Sequence, residues 1–276
     1  MASTVPATRP SVTGRPYLDA VLEGGPGVDR RLAWAHRGGV HHPDLVGLEN
    51  TMTAFRHAVG LGYGYLETDV HLTADGELVA FHDDVLDRVT DATGRIGTLR
   101  LAEVRQARIG GREHVPTLAE VVEELPGVRL NIDLKSAAAV RPLADFVLAR
   151  GLTDRVCVGS FSRSRTRAFR RLTRGGVATA AAPVEVGAFL AASALPGARR
   201  ALGGADALQV PARRGRVTVV TADVVRRVHA AGRHVHVWTV DEPAEMHRLL
   251  DLGVDGLFTD RTDLLKSTLV ERGAWW

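Results

Sequence analysis

From Leu32 onwards, short unbroken apolar runs alternate with longer stretches in which apolar residues recur at helical spacing. Unbroken runs of about four to eight residues suit strands buried on both faces, and the longer period suits helices packed along one side. "LAWAH" is followed by "ENTMTAFRHAVGLG", "RLNIDLK" by "AAVRPLADFVLARG", "RVCVGS" by "RTRAFRRLTRG" and "VATAAA" by "EVGAFLAAS". "ALQV" then precedes "TADVVRRVHAAG", "HVHVWTV" precedes "EPAEMHRLLDLG", and "GLFTD" precedes "RTDLLKSTLVERG". This alternation predicts a parallel sheet with helical crossovers.

One segment breaks the alternation. In "LETDVHLTADGELVAFHDD", residues 66–84, two strand-like runs are joined only by "ADGE". A parallel crossover takes about a dozen residues or more, so this pair must be an antiparallel hairpin, and Asp-Gly is a suitable hairpin turn. Setting the return strand aside leaves eight parallel strands: 32–36, 65–70, 129–135, 155–160, 177–182, 207–210, 234–240 and 256–260. The expected fold is α/β, a (β/α)8 TIM barrel with a hairpin and a short helical insertion, 83–128, after the second barrel strand. Residues 1–30, rich in Pro, Gly, Ser and Thr, read as an N-terminal extension, and residues 31–276 as the barrel domain.

Chemistry in such barrels sits at the C-terminal ends of the strands. Polar residues collect there in this sequence: His36-Arg37-Gly38, Glu67-Thr68-Asp69, Asp133-Leu134-Lys135, Ser160-Phe161-Ser162, Trp238-Thr239 and Thr259-Asp260. Residues i and i+2 of a strand share a face, so Glu67 and Asp69 project together into the barrel. Carboxylates that close repel unless a proton or cation separates them. With Asp133 from the next strand they could hold a hard divalent cation, Mg²⁺ or Ca²⁺; the spacing equally admits ion pairs with barrel Arg or Lys. His36 and His82 suit proton transfer near neutral pH, and the hairpin folds His82 back over the barrel mouth. Arg37 and Lys135 supply positive charge for an anion such as phosphate. Within the hairpin, Asp75 and Glu77 are expected to serve the turn and surface, and His71 to be solvated.

Composition narrows the options. Thirty-five Lys and Arg against 32 Asp and Glu leave a formal charge of +3. That balance allows mild attraction to anionic substrates but does not call for nucleic acid. The single cysteine, Cys157, lies in an apolar run; it can form no intrachain disulfide and is expected to be a buried core thiol. No apolar leader and no apolar run of about 18 residues is present, so the expectation is a cytoplasmic protein without a transmembrane helix.

In their order along the chain, the motifs resemble the glycerophosphodiester phosphodiesterase family, related to the phosphatidylinositol phospholipase C-like phosphodiesterases. The resemblance lies in "AHRGG" at 35–39, "LENTMTAFRHAVGLG" at 48–62, "LETDVHLTADGELVAFHDDVLDRVTDATG" at 66–94 and "VPTLAEVV" at 115–122. It continues through "NIDLK" at 131–135, "GSFS" at 159–162, "VHVWTVDE" at 235–242 and "GVDGLFTDR" at 253–261. It implies a (β/α)8 barrel that uses a divalent metal to hydrolyse small glycerophosphodiesters to glycerol 3-phosphate and an alcohol. By the same resemblance His36 and His82 are the acid/base pair and Arg37 the phosphate-binding arginine. Glu67, Asp69 and Asp133 are metal ligands, Glu49 contributes near the metal, Lys135 steadies the phosphate and Trp238 walls the substrate.

Two positions depart from the family pattern. Asp133 stands where Glu is usual, as in the sphingomyelinase D-like branch, and Leu48 stands where Pro is usual. The loop between His36 and Glu49 carries His41 and His42, both expected to be solvated. The resemblance also leaves room for a lysophospholipase D-like or sphingomyelinase D-like activity on lipids. That activity would need an apolar patch at the barrel mouth; the terminal Trp275 and Trp276 could supply membrane contact or pack against the barrel.

Overall fold

The computed structural model describes residues 12–22, 30–192 and 197–275. Its parallel strands are β1 (Leu32–Ala35), β2 (Tyr65–Leu72), β3 (Arg129–Leu134), β4 (Val156–Gly159), β5 (Ala178–Thr179), β6 (Ala207–Pro211), β7 (His234–Trp238) and β8 (Gly256–Thr259). They pair in the order β5-β4-β3-β2-β1-β8-β7-β6, and a parallel bridge between Ala180 and Ala207 joins the two ends. This is the expected (β/α)8 barrel. β5 is shorter than the 177–182 run because Pro183 opens the following helix, Pro183–Ala192, and draws the chain off the sheet.

The predicted hairpin is present: Leu78–Ala80 runs antiparallel to β2, with Val70 opposite Ala80 and Leu72 opposite Leu78. The insertion behind it has a core of its own, in which Val79, Phe81, Leu86, Ile96, Val104 and Ile109 are buried together. That core anchors the segment beginning His82-Asp83 beside the barrel.

Strand residues alternate between two apolar environments, as the period of two requires. Ala33, Leu66, Ile132, Val158, Leu208, Val235 and Leu257 face the helical layer. Trp34, Tyr65, Cys157, Ala178, Ala207 and Phe258 fill the inside. Gly256 makes room for this filling: a Cβ there would lie 2.4 Å from the Trp34 ring, which stacks on Phe258 at 4.3 Å. Cys157 is fully buried, as expected.

The N-terminal end of the barrel is closed by the chain's own beginning. Tyr17 and Leu18, on the short helix Pro16–Asp19, are buried against this interior filling. Trp34 Nε1 donates to Tyr17 Oη at 2.8 Å, and Tyr65 Oη donates to the Tyr17 carbonyl at 2.7 Å. Arg15 pairs with Asp206 at 3.0 Å. The rest of the predicted extension, 1–11 and 23–29, lies outside the described residues, as does Trp276. Trp275 packs 5.0 Å from Tyr63, just ahead of β2. It therefore sits at the end of the barrel opposite the mouth and lends nothing to a membrane contact there.

The helix expected from Glu49 begins at Met52, because the Thr51 side chain caps it by accepting from the Ala54 N–H at 3.2 Å. Glu49 and Asn50 thus stay in the loop, free to turn towards the barrel. No described helix is long and apolar enough to cross a membrane.

Candidate active site

The site starts from two residues held in the left-handed backbone region, Arg37 (φ 49°) and Asn50 (φ 56°). Each costs roughly 1 kcal/mol or more relative to relaxed backbone, and the Asn50 N–H donates to the Arg37 carbonyl at 2.9 Å. This paired turn aims both side chains at one carboxylate. Asn50 Nδ2 donates to Asp69 Oδ2 at 2.9 Å, while Thr68 Oγ1 donates to Asn50 Oδ1 at 2.7 Å and fixes the amide's orientation. Arg37 Nε lies 3.2 Å from the same Asp69 oxygen.

The parallel register places Asp69 of β2 beside Asp133 of β3. Lys135 spans them, with Nζ 2.9 Å from Asp69 Oδ1 and 2.8 Å from Asp133 Oδ2. Burial alone would raise the Asp69 pKa, but Lys135 and Arg37 outweigh it and hold the pKa low. For Asp133 burial wins, and its pKa rises despite Lys135. Glu67, one pleat below Asp69, is not bridged by Lys135: its nearest partners are the Arg37 N–H at 3.1 Å and His36 Nε2 at 3.8 Å. Burial, together with the charge of Asp69, pushes its pKa up to about 7. Asp69 is thus paired with both Arg37 and Lys135, and Asp133 with Lys135.

Both histidines are held by a carboxylate on Nδ1. His36 Nδ1 lies 2.8 Å from Asp260 Oδ1, and His82 Nδ1 bonds Asp83 Oδ1. A carboxylate only accepts, so each ring donates from Nδ1 and keeps Nε2 for the site. Burial would depress His36, but Glu67 and the Asp260 hydrogen bond outweigh it and lift the pKa to about 8. Asp83 is fixed in turn by Arg88, whose Nε lies 2.6 Å away and whose two terminal nitrogens grip Glu49 at 2.8 and 2.6 Å. Burial opposes ionisation of Asp83, but the Arg88 and His82 hydrogen bonds lower its pKa to about 2. Glu49 is likewise held low, chiefly by Arg88 against the effect of burial.

These groups line a cavity of about 250 Å³ at the C-terminal end of the barrel. One wall is charged: His36, Arg37, Glu67, Asp69, His82, Asp133 and Lys135. The other is largely apolar, with Phe161, Ala180, Ala181, Pro183, Trp238 and Phe258. Trp238 meets Phe161 edge to face at 5.8 Å. Glu49 does not line the cavity; it stands behind Arg37 at 3.3 Å and against Arg88.

A family model, "Glycerophosphoryl diester phosphodiesterase family", matches residues 36–264. The chain belongs to this family. A Mycobacterium tuberculosis (strain ATCC 25618 / H37Rv) protein named "Probable glycerophosphodiester phosphodiesterase 2" is 41% identical over 266 residues, which cover 95% of this chain and 97% of that protein. A glycerophosphodiester phosphodiesterase structure from Parabacteroides distasonis aligns with TM-score 0.71 and 26% identity, over 89% of this chain and 99% of that one. An Oleispira antarctica phosphodiesterase, solved in complex with the product sn-glycerol-3-phosphate, shares the fold at TM-score 0.69 and 23% identity, over 86% and 96%.

In this glycerophosphodiester phosphodiesterase family member, the sequence expectations for two of three histidines need correction. His71 is buried rather than solvated, and its Nε2 lies 3.1 Å from the His82 carbonyl. It faces inward from β2 and steadies the backbone that carries His82. His42 is half-buried and stacks on His57 at 4.3 Å. His41 is exposed as expected, although Nδ1 lies 3.2 Å from Asp241. Sequence reasoning placed Asp260 among the polar residues at the strand ends without giving it a role, and did not single out Asn50, Asp83 or Arg88. All four act through another side chain, so no spacing rule along a strand reveals their roles; Arg88 bridges Asp83 and Glu49 only because the insertion folds back.

The donor set of Glu67, Asp69 and Asp133 is all carboxylate oxygen, which fits a hard divalent cation. Among the described residues, the groups of three whose ligand atoms lie within 4.8 Å of one another are instead His42–Asp44–His57 and His41–Asp241–Asp260. Asp69 and Asp133 are already drawn to Lys135. Glu67, whose pKa burial and Asp69 raise, makes no side-chain contact with Lys135 or the Arg37 guanidinium, and its nearest cationic side chain is His36 at 3.8 Å.

Proposed function

We propose that the chain hydrolyses glycerophosphodiesters to glycerol 3-phosphate and an alcohol by acid/base catalysis with His36 and His82. The observation that carries this reading is the pair of imidazoles held by carboxylates on Nδ1, both lining the cavity beside Arg37, Lys135 and a carboxylate cluster. The 41% identical relative of matching length supports the reaction class.

In this scheme Arg37 and Lys135 receive the phosphodiester and offset charge growing on its oxygens. One imidazole takes the proton from the nucleophile, and the other gives a proton to the departing alkoxide oxygen. Asp260 and Asp83 hold the rings in the tautomer that this requires. Trp238 and Phe161 wall the alcohol side. Glu67, Asp69 and Asp133 would hold a divalent ion, Mg²⁺ or Ca²⁺, which when bound supplies Lewis-acid polarisation of the phosphoryl group. Glu49 serves by fixing Arg37 and Arg88. The barrel domain, residues 31–276, carries all of these groups.

The deciding experiment is a panel of glycerophosphodiesters and lysophospholipids with detection of glycerol 3-phosphate and cyclic phosphate, with each metal and with excess EDTA. Release of glycerol 3-phosphate that EDTA abolishes is expected. Full turnover in EDTA would remove the metal from the scheme, and lysophospholipids as the better substrates would favour the lipid-directed activity.

A further inference from the structure

Seven large apolar side chains are exposed among the described residues: Val12, Val46, Leu148, Phe161, Val184, Val217 and Val270. Three of them lie on the connections that follow β4, β5 and β6: Phe161 directly after β4, Val184 in the first turn of the helix Pro183–Ala192, and Val217 on a small hairpin. Those strands are neighbours, β4 beside β5 and β5 bridged to β6. The three connections therefore form one continuous arc of the barrel mouth. It adjoins the apolar wall of the cavity, to which Phe161 itself belongs.

The same arc is charged with one sign. Residues 160–165, 180–186 and 211–220 hold Arg163, Arg165, Arg213, Arg214 and Arg216, and a single acid, Glu185. Glu185 is buried and already paired with Arg170 at 3.0 Å, so it puts no negative charge on the surface. Arg213, Arg214 and Arg216 are exposed on a small hairpin, Arg213–Arg214 with Val217–Thr218. On the helix that follows β7, Pro243–Asp251, Glu245 feels the charge of Arg213 and is held by Arg248 at 2.6 Å.

We propose that this arc is a docking surface for an anionic lipid bilayer, with Val184 and Val217 entering the acyl boundary and Arg213, Arg214 and Arg216 meeting lipid phosphates. Exposed aliphatic side chains interleaved with arginine are the composition of an interfacial contact, where apolar burial and attraction to anionic lipid add. Phosphate contacts with a nucleic acid would draw on the arginines alone, whereas a bilayer also buries the exposed valines. Docking here would turn the cavity mouth towards the bilayer, so phosphodiesters at or near the lipid surface would be the ones encountered. Hydrolysis of a soluble glycerophosphodiester does not need this surface, so it can fail independently of the proposed activity.

The test is co-sedimentation of the full chain with vesicles of equimolar phosphatidylglycerol and phosphatidylcholine, and of phosphatidylcholine alone. Binding to the anionic vesicles only, weakening as salt is raised, is expected. Arg213→Glu/Arg214→Glu/Arg216→Glu should lose about tenfold or more in partition, and Val184→Ser/Val217→Ser should also weaken it. Both variants should keep wild-type melting and turnover of glycerophosphocholine. Absence of binding to anionic vesicles would overturn the proposal. So would binding that the valine variant leaves unchanged and soluble heparin or DNA competes away, which would mark a polyanion patch.

Discussion

Acidification should expose one buried histidine through the stability of the fold. His236 lies inside the barrel, fully buried, with its ring 4.5 Å from Trp34 and its Nδ1 3.4 Å from Gln209 Nε2. Burial, with a smaller contribution from His234, lowers its pKa to about 3 against the partial opposition of Asp255. A depressed histidine pKa means that the unfolded chain takes up the proton first. Stability is therefore full above the unfolded value of about 6.5 and falls as pH drops towards 3. Between about pH 7 and pH 5 the difference in proton uptake amounts to roughly 2 kcal/mol. For a domain of this size that is a fall of about 4–8 °C in Tm. Urea unfolding of wild type and His236→Gln at both pH values is the assay. Gln cannot titrate, so the variant should lose about 2 kcal/mol less on acidification, whatever its stability at neutral pH. His36, whose pKa is raised to about 8, has the opposite sign and is present in both proteins, so it cancels. Parallel pH dependences for the two proteins would refute a neutral buried His236.

The remaining predictions concern the floor and the site. Tyr17→Phe leaves the buried Trp34 N–H without its acceptor and should cost about 1–3 kcal/mol, read as a lower urea midpoint; an unchanged midpoint would mean that residues 12–22 do not seal the barrel. His36→Ala and His82→Ala should each lower kcat by roughly 10²-fold or more while melting stays near wild type, and near-wild-type turnover in either would remove that imidazole from catalysis. Lys135→Met takes away the cation between Asp69 and Asp133 and should destabilise the metal-free protein by about 3 kcal/mol or more. Saturating Mg²⁺ or Ca²⁺ should recover part of that loss in a thermal melt; no recovery with either ion would argue against a cation at these carboxylates.

What could be read in the sequence followed from local rules. The strand–helix alternation is a pattern of burial, and each strand buries both faces, so the eight barrel strands stood out as apolar runs. The four-residue link "ADGE" alone settled that Leu78–Ala80 returns antiparallel, because a crossover does not fit in it. The i, i+2 spacing of Glu67 and Asp69 set their common face without any knowledge of the rest of the chain.

Tertiary structure decided what depends on groups far apart in the chain. The spacing of Glu67 and Asp69 set their face, and only the closed sheet brings Arg37 and Lys135 to Asp69 and Lys135 to Asp133. Asp260 reaches His36 across 224 positions because β8 closes on β1. Arg88 reaches Glu49 because the insertion has its own core and packs back on the mouth. His71, next to the hairpin turn, was expected to be solvated, yet burial beside the His82 carbonyl makes it a brace. Tyr17, in a segment with the composition of a loose extension, becomes the barrel floor because Trp34 and Tyr65 leave an aromatic-lined opening and two hydrogen-bonding groups there. Local periodicity specifies which face a side chain takes, whereas its partner, its ionisation and hence its chemistry depend on distances that exist only after the sheet has closed.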